Sequence, residues 1–464
     1  MSLGILAESP NSTQAELELR ADAGSAVSLE FKQSNRLRLK AHRLIPGGAH
    51  TYAKGDDQYP ILSPGFIARG QGAHVWDVDG NEYVEYGMGN RAVGLGHAFP
   101  EVLEAARAEL EHGCNFTRPA AIEVACAEAL LGVLPNAEMV KFCKDGSDAT
   151  SGAVRLARAY TGRDMVAICS DHPFFSTDDW FIGSTVMNAG IPAQVQALTV
   201  GFRYGDLESA RALFDSHPGR IACVIMEAAR MEDPPAGYLQ AMVDLCHARG
   251  ALFILDEMIT GFRWGLDGAQ GVYGLDPDLS CFGKALANGF SVSALAGKRE
   301  FMRLGGLEHT DRPRVFVLST THGAETHALA ACIANIGVYR REPVIEHLDA
   351  IGSRLRAALE EVIATHGLQA HVKVLGKPCN MVLASTDPDG KPSQGYRSLL
   401  LQEMIARGVL CPSLVVSYSH TDDDVARTAD ALDGALRVYA RALEDGYARH
   451  LVGRPSRIVY RAFN

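Results

Sequence analysis

Two side chains with complementary chemistry follow two short apolar runs in the middle of the chain. Asp256 comes directly after ALFIL (251–255), and Lys284 follows LSCF (279–282) after a single glycine. Ligands of open α/β sheets bind at the carboxyl ends of strands, so we expect both side chains to face one small ring. A lysine amine condenses with an aldehyde, and an aspartate keeps a pyridine nitrogen protonated, which are the two needs of pyridoxal chemistry. Taken singly, an exposed lysine and a capping aspartate are ordinary alternatives.

A glycine-serine turn provides a candidate anion site. Gly146 and Ser147 follow the apolar run MVKFC (139–143), and a helix is predicted from about Ala149. Backbone N–H groups at a helix start bind anions, and glycine lets a phosphate approach closely. The alternative is a plain helix start capped by Ser147 or Asp148. The spacing does not match a Walker A loop.

Two further stretches carry groups that suit a flat, phosphorylated ligand. Phe174 and Phe175 follow the apolar run MVAIC, and either ring can stack on a heterocycle, with core packing as the alternative. Ser319, Thr320 and Thr321 precede a second predicted helix and form a hydroxyl-rich segment, with an ordinary helix start as the alternative.

Short apolar runs alternate with helical segments between about residues 120 and 300, which predicts an α/β domain with a mainly parallel sheet covered on both faces. The predicted strands are MVKFC (139–143), MVAIC (165–169), IACVIM (221–226), ALFIL (251–255), LSCF (279–282) and SALAG (293–297). A hairpin is predicted over 74–86, a helix from Pro100 to a cap at Gly113, helix over 13–42 and 325–365, and strands in HVKVLG and CNMVLAS near the C-terminus.

Composition and charge argue against several classes of function. The chain has 464 residues, a net charge of −11 and ten cysteines. An acidic chain argues against a nucleic-acid partner, and the cysteine spacing matches no metal site, so no bound metal is expected. The N-terminus has neither a basic region nor a long apolar run, and no stretch suits a membrane span, so we expect a cytoplasmic protein without membrane contact.

Six segments together resemble the class III family of fold-type I pyridoxal 5′-phosphate (PLP) enzymes, and most closely glutamate-1-semialdehyde 2,1-aminomutases and related aminotransferases. The segments are RLIPGGAHTYAKG, FIARGQGAHVWDVDGNEYVEY, GLGHAFPEV, MEAARMEDPPAGYL, LDEMITGFRWG and DLSCFGKALANG. The resemblance covers roughly residues 35 to 440. It implies an α/β large domain with a mainly parallel seven-stranded sheet and a smaller α+β domain. The domains expected are 1–100 (an N-terminal segment shared by the small domain and a dimer arm), 101–340 (large) and 341–464 (small).

The resemblance also implies a role for each matched residue. Lys284 is the Schiff-base lysine and proton shuttle, and Asp256 pairs with the pyridine nitrogen. The other cofactor contacts implied are Met258 and Phe174 on the two ring faces, Gly146 and Ser147 at the phosphate, Thr321 reaching the phosphate from a neighbouring subunit, and Glu227 as a nearby acid. Active sites at the interface of a homodimer follow from this arrangement.

The sequence departs from the family mainly where substrate would bind. The family's Asn-Ser-Pro-Val-Arg run is His50-Thr51-Tyr52-Ala53-Lys54, and its tryptophan is Asn90, followed by Arg91. On the cofactor side, the family's Ser-Gly-Thr turn is Asp145-Gly146-Ser147, and its Tyr-His pair is Phe174-Phe175. The polar residues expected to contact a small amino donor or acceptor are His50, Tyr52, Lys54, Arg91 and Arg230. An arginine suits bidentate binding of a carboxylate.

These patterns predict PLP-dependent amino-group transfer, of the aminotransferase or 2,1-aminomutase type, on a small polar substrate. Racemase or decarboxylase activity on the same fold, or a catalytically silent module, are the alternatives. A nicotinamide enzyme is disfavoured because GMGNRAVG (87–94) lacks the glycine spacing of a dinucleotide-binding turn.

Overall fold

The computed structural model describes residues 29–172, 174–229, 231–308 and 312–461. Within these ranges fourteen strands form three sheets, and ten helices of at least ten residues surround them. No helix in the same ranges combines the length and the apolar character that crossing a membrane requires.

The strands, in chain order, are β1 (Ile67–Gln71), β2 (His74–Asp77), β3 (Glu82–Glu85), β4 (Met139–Cys143), β5 (Met165–Cys169), β6 (Thr199–Phe202), β7 (Ile221–Met226), β8 (Leu252–Asp256), β9 (Leu279–Phe282), β10 (Ser293–Gly297), β11 (Val372–Lys377), β12 (Asn380–Ser385), β13 (Val409–Leu410) and β14 (Leu414–Val415).

The longer helices are α1 (Lys32–Leu44), α2 (Pro100–Leu110), α3 (Ala121–Leu131), α4 (Gly146–Thr161), α5 (Leu207–Ser216), α6 (Tyr238–Ala248), α7 (Thr326–Arg341), α8 (Val344–Thr365), α9 (Gln394–Ile405) and α10 (Asp422–Asp445). Short helical turns lie at Pro46–Gly48, Tyr52–Lys54, Asp56–Gln58, Met88–Arg91, Asp179–Ile182, Ala193–Gln196, Ala269–Tyr273, Lys284–Ala287, Arg299–Met302, Arg303–Gly305 and Tyr447–Arg449.

The central sheet has seven strands in the order β4-β10-β9-β8-β7-β5-β6. All pairs from β9 to β6 are parallel, whereas β10 is antiparallel to both of its neighbours. Every residue of β5, β7, β8, β9 and β10 is buried, which explains why these strands are continuous apolar runs. Helix α4 packs on one face of the sheet, and α7 packs against α2 and α3.

There are two smaller sheets, and the first of them joins an N-terminal segment to a C-terminal one. In the sheet β1-β2-β3-β13, Val84 of β3 pairs in parallel with Val409 of β13. The sheet β11-β12-β14 packs against α8 and α9, and α10 packs across both of these helices.

The last described residues continue this link by binding a segment near the beginning of the chain. Arg461 forms an ion pair with Asp57 at 2.6 Å, and Arg454 donates to the carbonyl of Asp56 at 3.0 Å. The backbone N–H of Arg457 also donates to the carbonyl of Asp57, at 2.8 Å. The C-terminal tail therefore restrains the segment that follows Tyr52–Lys54.

Most predicted elements are confirmed. The 74–86 hairpin is β2 and β3, and five of the six predicted strands have the observed bounds, while ALFIL is shifted by one residue to Leu252–Asp256. The strand Thr199–Phe202 was not predicted. Two helix ends were wrong. The helix from Pro100 ends at Leu110, before Gly113, and α4 begins at Gly146 rather than near Ala149.

Other predictions have a partial outcome. The helical segment 325–365 is two helices, α7 and α8. Of the helix predicted over 13–42, residues 13–28 lie outside the described ranges, and α1 begins at Lys32. The domain boundaries at 100 and 340 stay a prediction.

A partly buried histidine, His74, connects β2 to the start of α10. His74 contacts Glu82 through Nδ1 and Asp424 through Nε2, both at 2.8 Å. The hydrogen bond to Asp424 raises the pKa of His74, although burial opposes the shift. Burial alone would raise the pKa of Asp424, but hydrogen bonds from His74 and Thr421 lower it to about 2. These contacts therefore favour the charged form of both partners.

We expect His74→Ala to lower the free energy of unfolding by about 1 kcal/mol at pH 5.5 and by less at pH 8.5. A histidine whose folded-state pKa is raised contributes its full stabilisation below the unfolded pKa of about 6.5, and this is lost as the pH rises through the folded value. Urea unfolding at both pH values measures the difference. The exposed His112, changed to Ala, is the control. An equal loss for His74→Ala at both pH values would contradict the prediction.

Candidate active site

Asp256 and Lys284 meet at the carboxyl edge of the central sheet. Asp256 is the last residue of β8, and Lys284 lies two residues beyond the end of the adjacent parallel strand β9. Asp256 is 1% exposed, and Lys284 is partly buried. The two predicted residues are thus brought together, although 27 positions separate them in the sequence (284 − 256 − 1).

Each charge acts on the other's pKa. Burial lowers the pKa of the Lys284 amine, while the nearby carboxylates of Asp256 and Glu227 oppose that shift. Burial raises the pKa of Asp256 to about 6, while Lys284 and a 2.9 Å hydrogen bond from the Met258 N–H oppose it. A depressed lysine pKa increases the fraction of neutral amine, which is the nucleophilic form.

The backbone at Lys284 is strained, and hydrogen bonds from neighbouring side chains hold the turn in place. Lys284 has φ 44°, a left-handed conformation that costs a residue other than glycine about 1 kcal/mol. Asn335 donates to the carbonyls of Ala285 and Leu286, both at 3.0 Å. Asn288 accepts from the N–H groups of Gly94 and Leu95 and donates to the carbonyl of Gly96. These buried amides hold the turn that carries the amine. Sequence analysis did not single out either of them.

Two glycines allow the methionine beside Asp256 to approach the backbone closely. A Cβ atom added at Gly146 would lie 2.8 Å from the Met258 sulfur, and one added at Gly283 would lie 2.6 Å from it. Met258 is buried and bridges the start of α4 and the turn before Lys284. The predicted phosphate turn and the predicted lysine turn are therefore neighbours.

The start of α4 corrects the predicted cap. Asp145, rather than Ser147 or Asp148, is the capping residue, and its Oδ1 accepts from the N–H of Asp148 at 3.1 Å. The Asp145 carboxylate is thereby engaged with its own helix. Ser147 Oγ accepts from the Thr177 N–H at 3.0 Å, which leaves its hydroxyl proton available for donation.

The two phenylalanines after β5 occupy different environments. Phe175 is 2% exposed and belongs to the core, whereas Phe174 is 42% exposed. Both rings contact Phe181 edge-on, with centroids 5.6 Å apart in each case. Only Phe174 retains an open ring surface on which a heterocycle could stack.

Glu227 follows β7 and contributes to the same edge. It is buried, its N–H donates to Nδ1 of His172 at 3.1 Å, and its charge raises the pKa of Lys284. His172 is itself buried, with its ring centroid 5.2 Å from that of Tyr204. The sequence alone had assigned this histidine no role.

Of the predicted substrate residues, the structure brings Arg91 to the lysine. Arg91 is partly buried, and its charge lowers the pKa of Lys284. His50, Tyr52 and Lys54 are exposed on the short helical turn at Tyr52–Lys54 and the residues before it. Arg230 lies outside the described residues.

Thr321 is exposed in this single chain, and its carbonyl accepts from Asn115 Nδ2 at 3.0 Å. It lies before α7, whose first residue Thr326 donates to the carbonyl of Gly113 at 2.9 Å. Among the residues that the structure describes, no group of three or more His, Cys, Asp or Glu side chains is arranged to hold a metal ion.

Arg263 is a second arginine of the site, and sequence analysis missed it. It is 1% exposed, and burial lowers its pKa. Its charge also lowers the pKa of Lys284. It ends the segment LDEMITGFR (255–263), so its position next to the sheet edge was the available signal.

Glu257, next to Asp256, forms hydrogen bonds with the loop that follows β8. Its carboxylate accepts from the N–H groups of Ala269 and Gln270 at 2.8 Å each and from the Thr260 hydroxyl. Burial raises the pKa of Glu257 to about 7. The carboxyl thus holds the short helix at Ala269–Tyr273 against the end of β8.

Known proteins are similar to this chain in sequence and in fold. The family model described as aminotransferase class-III matches residues 52–433. The chain is 33% identical to the glutamate-1-semialdehyde 2,1-aminomutase of Desulforamulus reducens, over 89% of this chain and 99% of that protein. The solved PLP internal aldimine form of the FumI protein of Sphingopyxis sp. MTA144 superimposes with a TM-score of 0.81 at 30% identity, covering 91% of this chain and 98% of that one. A transaminase solved with PLP bound has a TM-score of 0.79 at 25% identity, covering 91% and 99%.

Proposed function

This chain belongs to the class-III aminotransferase family and is a PLP-dependent enzyme of amino-group transfer, and from that premise we propose that Lys284 and Asp256 are its catalytic pair. The predicted fold class, a fold-type I α/β transferase, is confirmed. The observation that supports the pair is the meeting of an amine and a carboxylate at one sheet edge, where each opposes the effect of burial on the other's pKa. Shifted pKa values in groups that act on each other electrostatically are typical of catalytic sites.

The residues at this edge fit the cofactor. Lys284 is the proposed point of covalent attachment, and Asp256 is the partner of the ring nitrogen. Gly146 leaves room where a Cβ would meet Met258, and the Ser147 hydroxyl and the N-terminus of α4 suit a phosphate. The Asp145 carboxylate is occupied by the Asp148 N–H, which reduces its conflict with that phosphate. The remaining proposed contacts are Met258 and Phe174 at the ring faces, Glu227 nearby, and Thr321 of a second subunit.

Each member of the pair has a defined task. Bound PLP supplies an aldehyde that takes up amino groups and a protonated ring that withdraws electrons. The Asp256 carboxylate, when ionised, holds the proton on the ring nitrogen. Lys284 Nζ, kept partly neutral by burial, accepts the proton from the carbon that bears the substrate amine and returns it at the next step. The Lys284 backbone has φ 44°, and Asn335 holds the turn that carries this amine.

The reaction that we propose is amino-group transfer, of either the aminomutase or the aminotransferase type. An aminomutase moves the amino group within one molecule, whereas an aminotransferase moves it between two. The sequence relatives named as aminomutases support the first, and the departures at His50–Lys54 and at Asn90-Arg91 support a different, small polar substrate. Arg91 is the proposed polar contact nearest the lysine, with His50, Tyr52, Lys54 and Arg230 as further candidates.

We also propose a cytoplasmic homodimer with active sites at the subunit interface. Thr321 is bound through its carbonyl to Asn115, and the neighbouring Phe116 is 52% exposed, so this surface combines an exposed apolar ring with the proposed phosphate contact. All ten cysteines are unpaired, which supports a reducing compartment.

We expect Lys284→Ala to abolish borohydride-fixable PLP and to slow amino transfer at least about 100-fold, because it removes both the attachment point and the base. The measurement is a screen of amino donors and carbonyl acceptors, glutamate-1-semialdehyde included, that follows interconversion of the pyridoxal and pyridoxamine forms by absorbance. Lys141→Ala, which changes an exposed lysine of β4, is the control. Retention of fixable cofactor by Lys284→Ala would refute the proposed role.

We expect Gly146→Ala to weaken PLP binding about 10-fold or more, because the added Cβ would lie 2.8 Å from the Met258 sulfur and displace either it or the start of α4. Titration of the apoenzyme with PLP measures the dissociation constant, and circular dichroism checks the fold. Gly337→Ala is the matched control, since a Cβ there meets nothing within 4 Å. Equal affinities in the two variants would remove Gly146 from the phosphate site.

The proposed dimer predicts complementation between two defective subunits. In a mixed dimer of Lys284→Ala and Thr321→Ala chains, one site combines the native Lys284 of one chain with the native Thr321 of the other. We expect half of the sites to bind PLP covalently with wild-type affinity, whereas neither homodimer has such a site. The measurement is PLP titration of differentially tagged, purified mixed dimers, with light scattering for mass. A mixed dimer that shows only the weak affinity of Thr321→Ala would mean that the threonine acts within its own chain.

A further inference from the structure

The turn that carries Arg91 has an unusual backbone. Four consecutive residues have positive φ: Met88 (42°), Gly89 (59°), Asn90 (57°) and Arg91 (73°). Three of the four are not glycine, so the turn costs on the order of 1 kcal/mol at each of those positions. Such a conformation persists only where surrounding contacts hold it, which makes those contacts informative.

One contact acts on the backbone. The Arg263 guanidinium donates through Nη2 to the carbonyl of Arg91 at 3.0 Å and through Nη1 to the carbonyl of Val416 at 3.1 Å. It thereby joins the left-handed turn to the residue that follows β14. Its Nε is buried without a hydrogen-bond partner among the described residues. A cation is therefore kept in the interior beside the turn.

A second contact acts on the side chain. Asn380 is 3% exposed, and its Oδ1 accepts from Arg91 Nε at 2.8 Å. Asn380 pairs with Val415 across β12 and β14, so it lies next to the strand that also anchors Arg263. Because Asn380 is an amide, this hydrogen bond fixes the direction of the guanidinium without neutralising its charge.

The turn adjoins the proposed catalytic lysine. Met88–Arg91 lies next to the short helix Lys284–Ala287, and a Cβ added at Gly94 would contact the Ala285 side chain at 3.6 Å. Arg91 and Arg263 are the cations that lower the pKa of Lys284, and Asp256 and Glu227 are the acids that raise it. Positive charge is thus supplied from the side of the small sheet.

We propose that Arg91 binds a carboxylate of the substrate and that Asn380 is the positioning residue that sets the orientation of its guanidinium. The substrate class is then amino acids and oxo acids, rather than simple amines. A planar guanidinium pairs with a carboxylate through parallel hydrogen bonds, and that geometry depends on the guanidinium plane that Asn380 holds. The inference rests on the proposed function, since it names the substrate of the same site.

Direct binding of unreactive carboxylates tests the proposal. Calorimetry on the holoenzyme measures the dissociation constants of acetate, succinate and glutarate. Arg91→Gln should weaken the tightest of them about 10- to 100-fold, and Asn380→Ala about 3- to 10-fold. Asn380→Asp should weaken it more than Asn380→Ala, because the new carboxylate pairs with Arg91 and competes. Asn136→Ala, which removes an amide whose Nδ2 donates to the carbonyl of Leu275 at 2.7 Å, is the matched control.

A paired-substrate measurement adds a kinetic readout. L-Alanine and isopropylamine differ by a carboxylate in place of a methyl group. Arg91→Gln should reduce the ratio of kcat/KM for L-alanine to kcat/KM for isopropylamine at least about 10-fold, because any effect through the Lys284 pKa is common to both donors. Equal losses for both donors would overturn the proposal, as would wild-type holoenzyme that binds none of the three carboxylates.

The outcomes separate this inference from the proposed function. If the inference fails, carboxylate affinity is equal in wild type, Arg91→Gln and Asn380→Ala, while Lys284→Ala still abolishes amino transfer. If the proposed function fails, Lys284→Ala keeps amino transfer, whatever the carboxylate affinities are. Circular dichroism and PLP content identify any variant that has not folded, and Asn380→Asp keeps the size of the native side chain.

Discussion

The interaction on which the site depends is the electrostatic attraction between the buried Asp256 carboxylate and the partly buried Lys284 amine. Each group alone would be driven toward its neutral form by burial, and each favours the charged form of the other. A buried pair of this kind is weak evidence for stability, because desolvation offsets much of the attraction. Its position at the carboxyl ends of β8 and β9, which are wholly buried, is better explained by chemistry than by folding.

Holding these two groups in place requires strained backbone, and the strain is grouped. Of the seven residues other than glycine with positive φ in the described ranges, Lys284 and Asn288 belong to the lysine turn, and Met88, Asn90 and Arg91 belong to the turn beside it. The buried Asn335 amide donates to two carbonyls of the lysine turn, and the buried Arg263 guanidinium donates to the carbonyl of Arg91 in the other turn. Backbone strain concentrated in two adjacent turns is typical of a pre-organised site rather than of a loosely packed loop.

What the sequence predicted well was local. Continuous apolar runs identified the strands, and a charged residue at or just after the end of such a run indicated Asp256 and Lys284. The strand Thr199–Phe202 escaped because it is four residues long and contains a glycine. The antiparallel direction of β10 also escaped, because burial on both faces produces the same apolar pattern in either direction. The resemblance to a known family supplied what local patterns could not, including the roles proposed for Met258 and Thr321.

Asn380 and Arg263 were not predicted from the sequence, and both have hydrogen-bond partners that are distant in the sequence. Asn380 contacts Arg91 across 289 positions, and Arg263 contacts it across 172. No periodicity records such a contact, and an isolated amide in the apolar strand Asn380–Ser385 looks like a tolerated polar residue until the fold is known.

This difference divides the site into two parts with different physical origins. The cofactor side is made from strand ends and a helix start, so its geometry follows from the central sheet. The substrate side is made from side chains of a small sheet and from a turn that they restrain. A second segment with candidate substrate residues, His50 to Lys54, is restrained through Asp57 by the C-terminal Arg461. We therefore expect changes at Asn380 or along the C-terminal tail to reorient the proposed substrate contacts while the strands that carry Asp256 and Lys284 stay in place. A family fold could in this way retain its cofactor chemistry while its substrate changes.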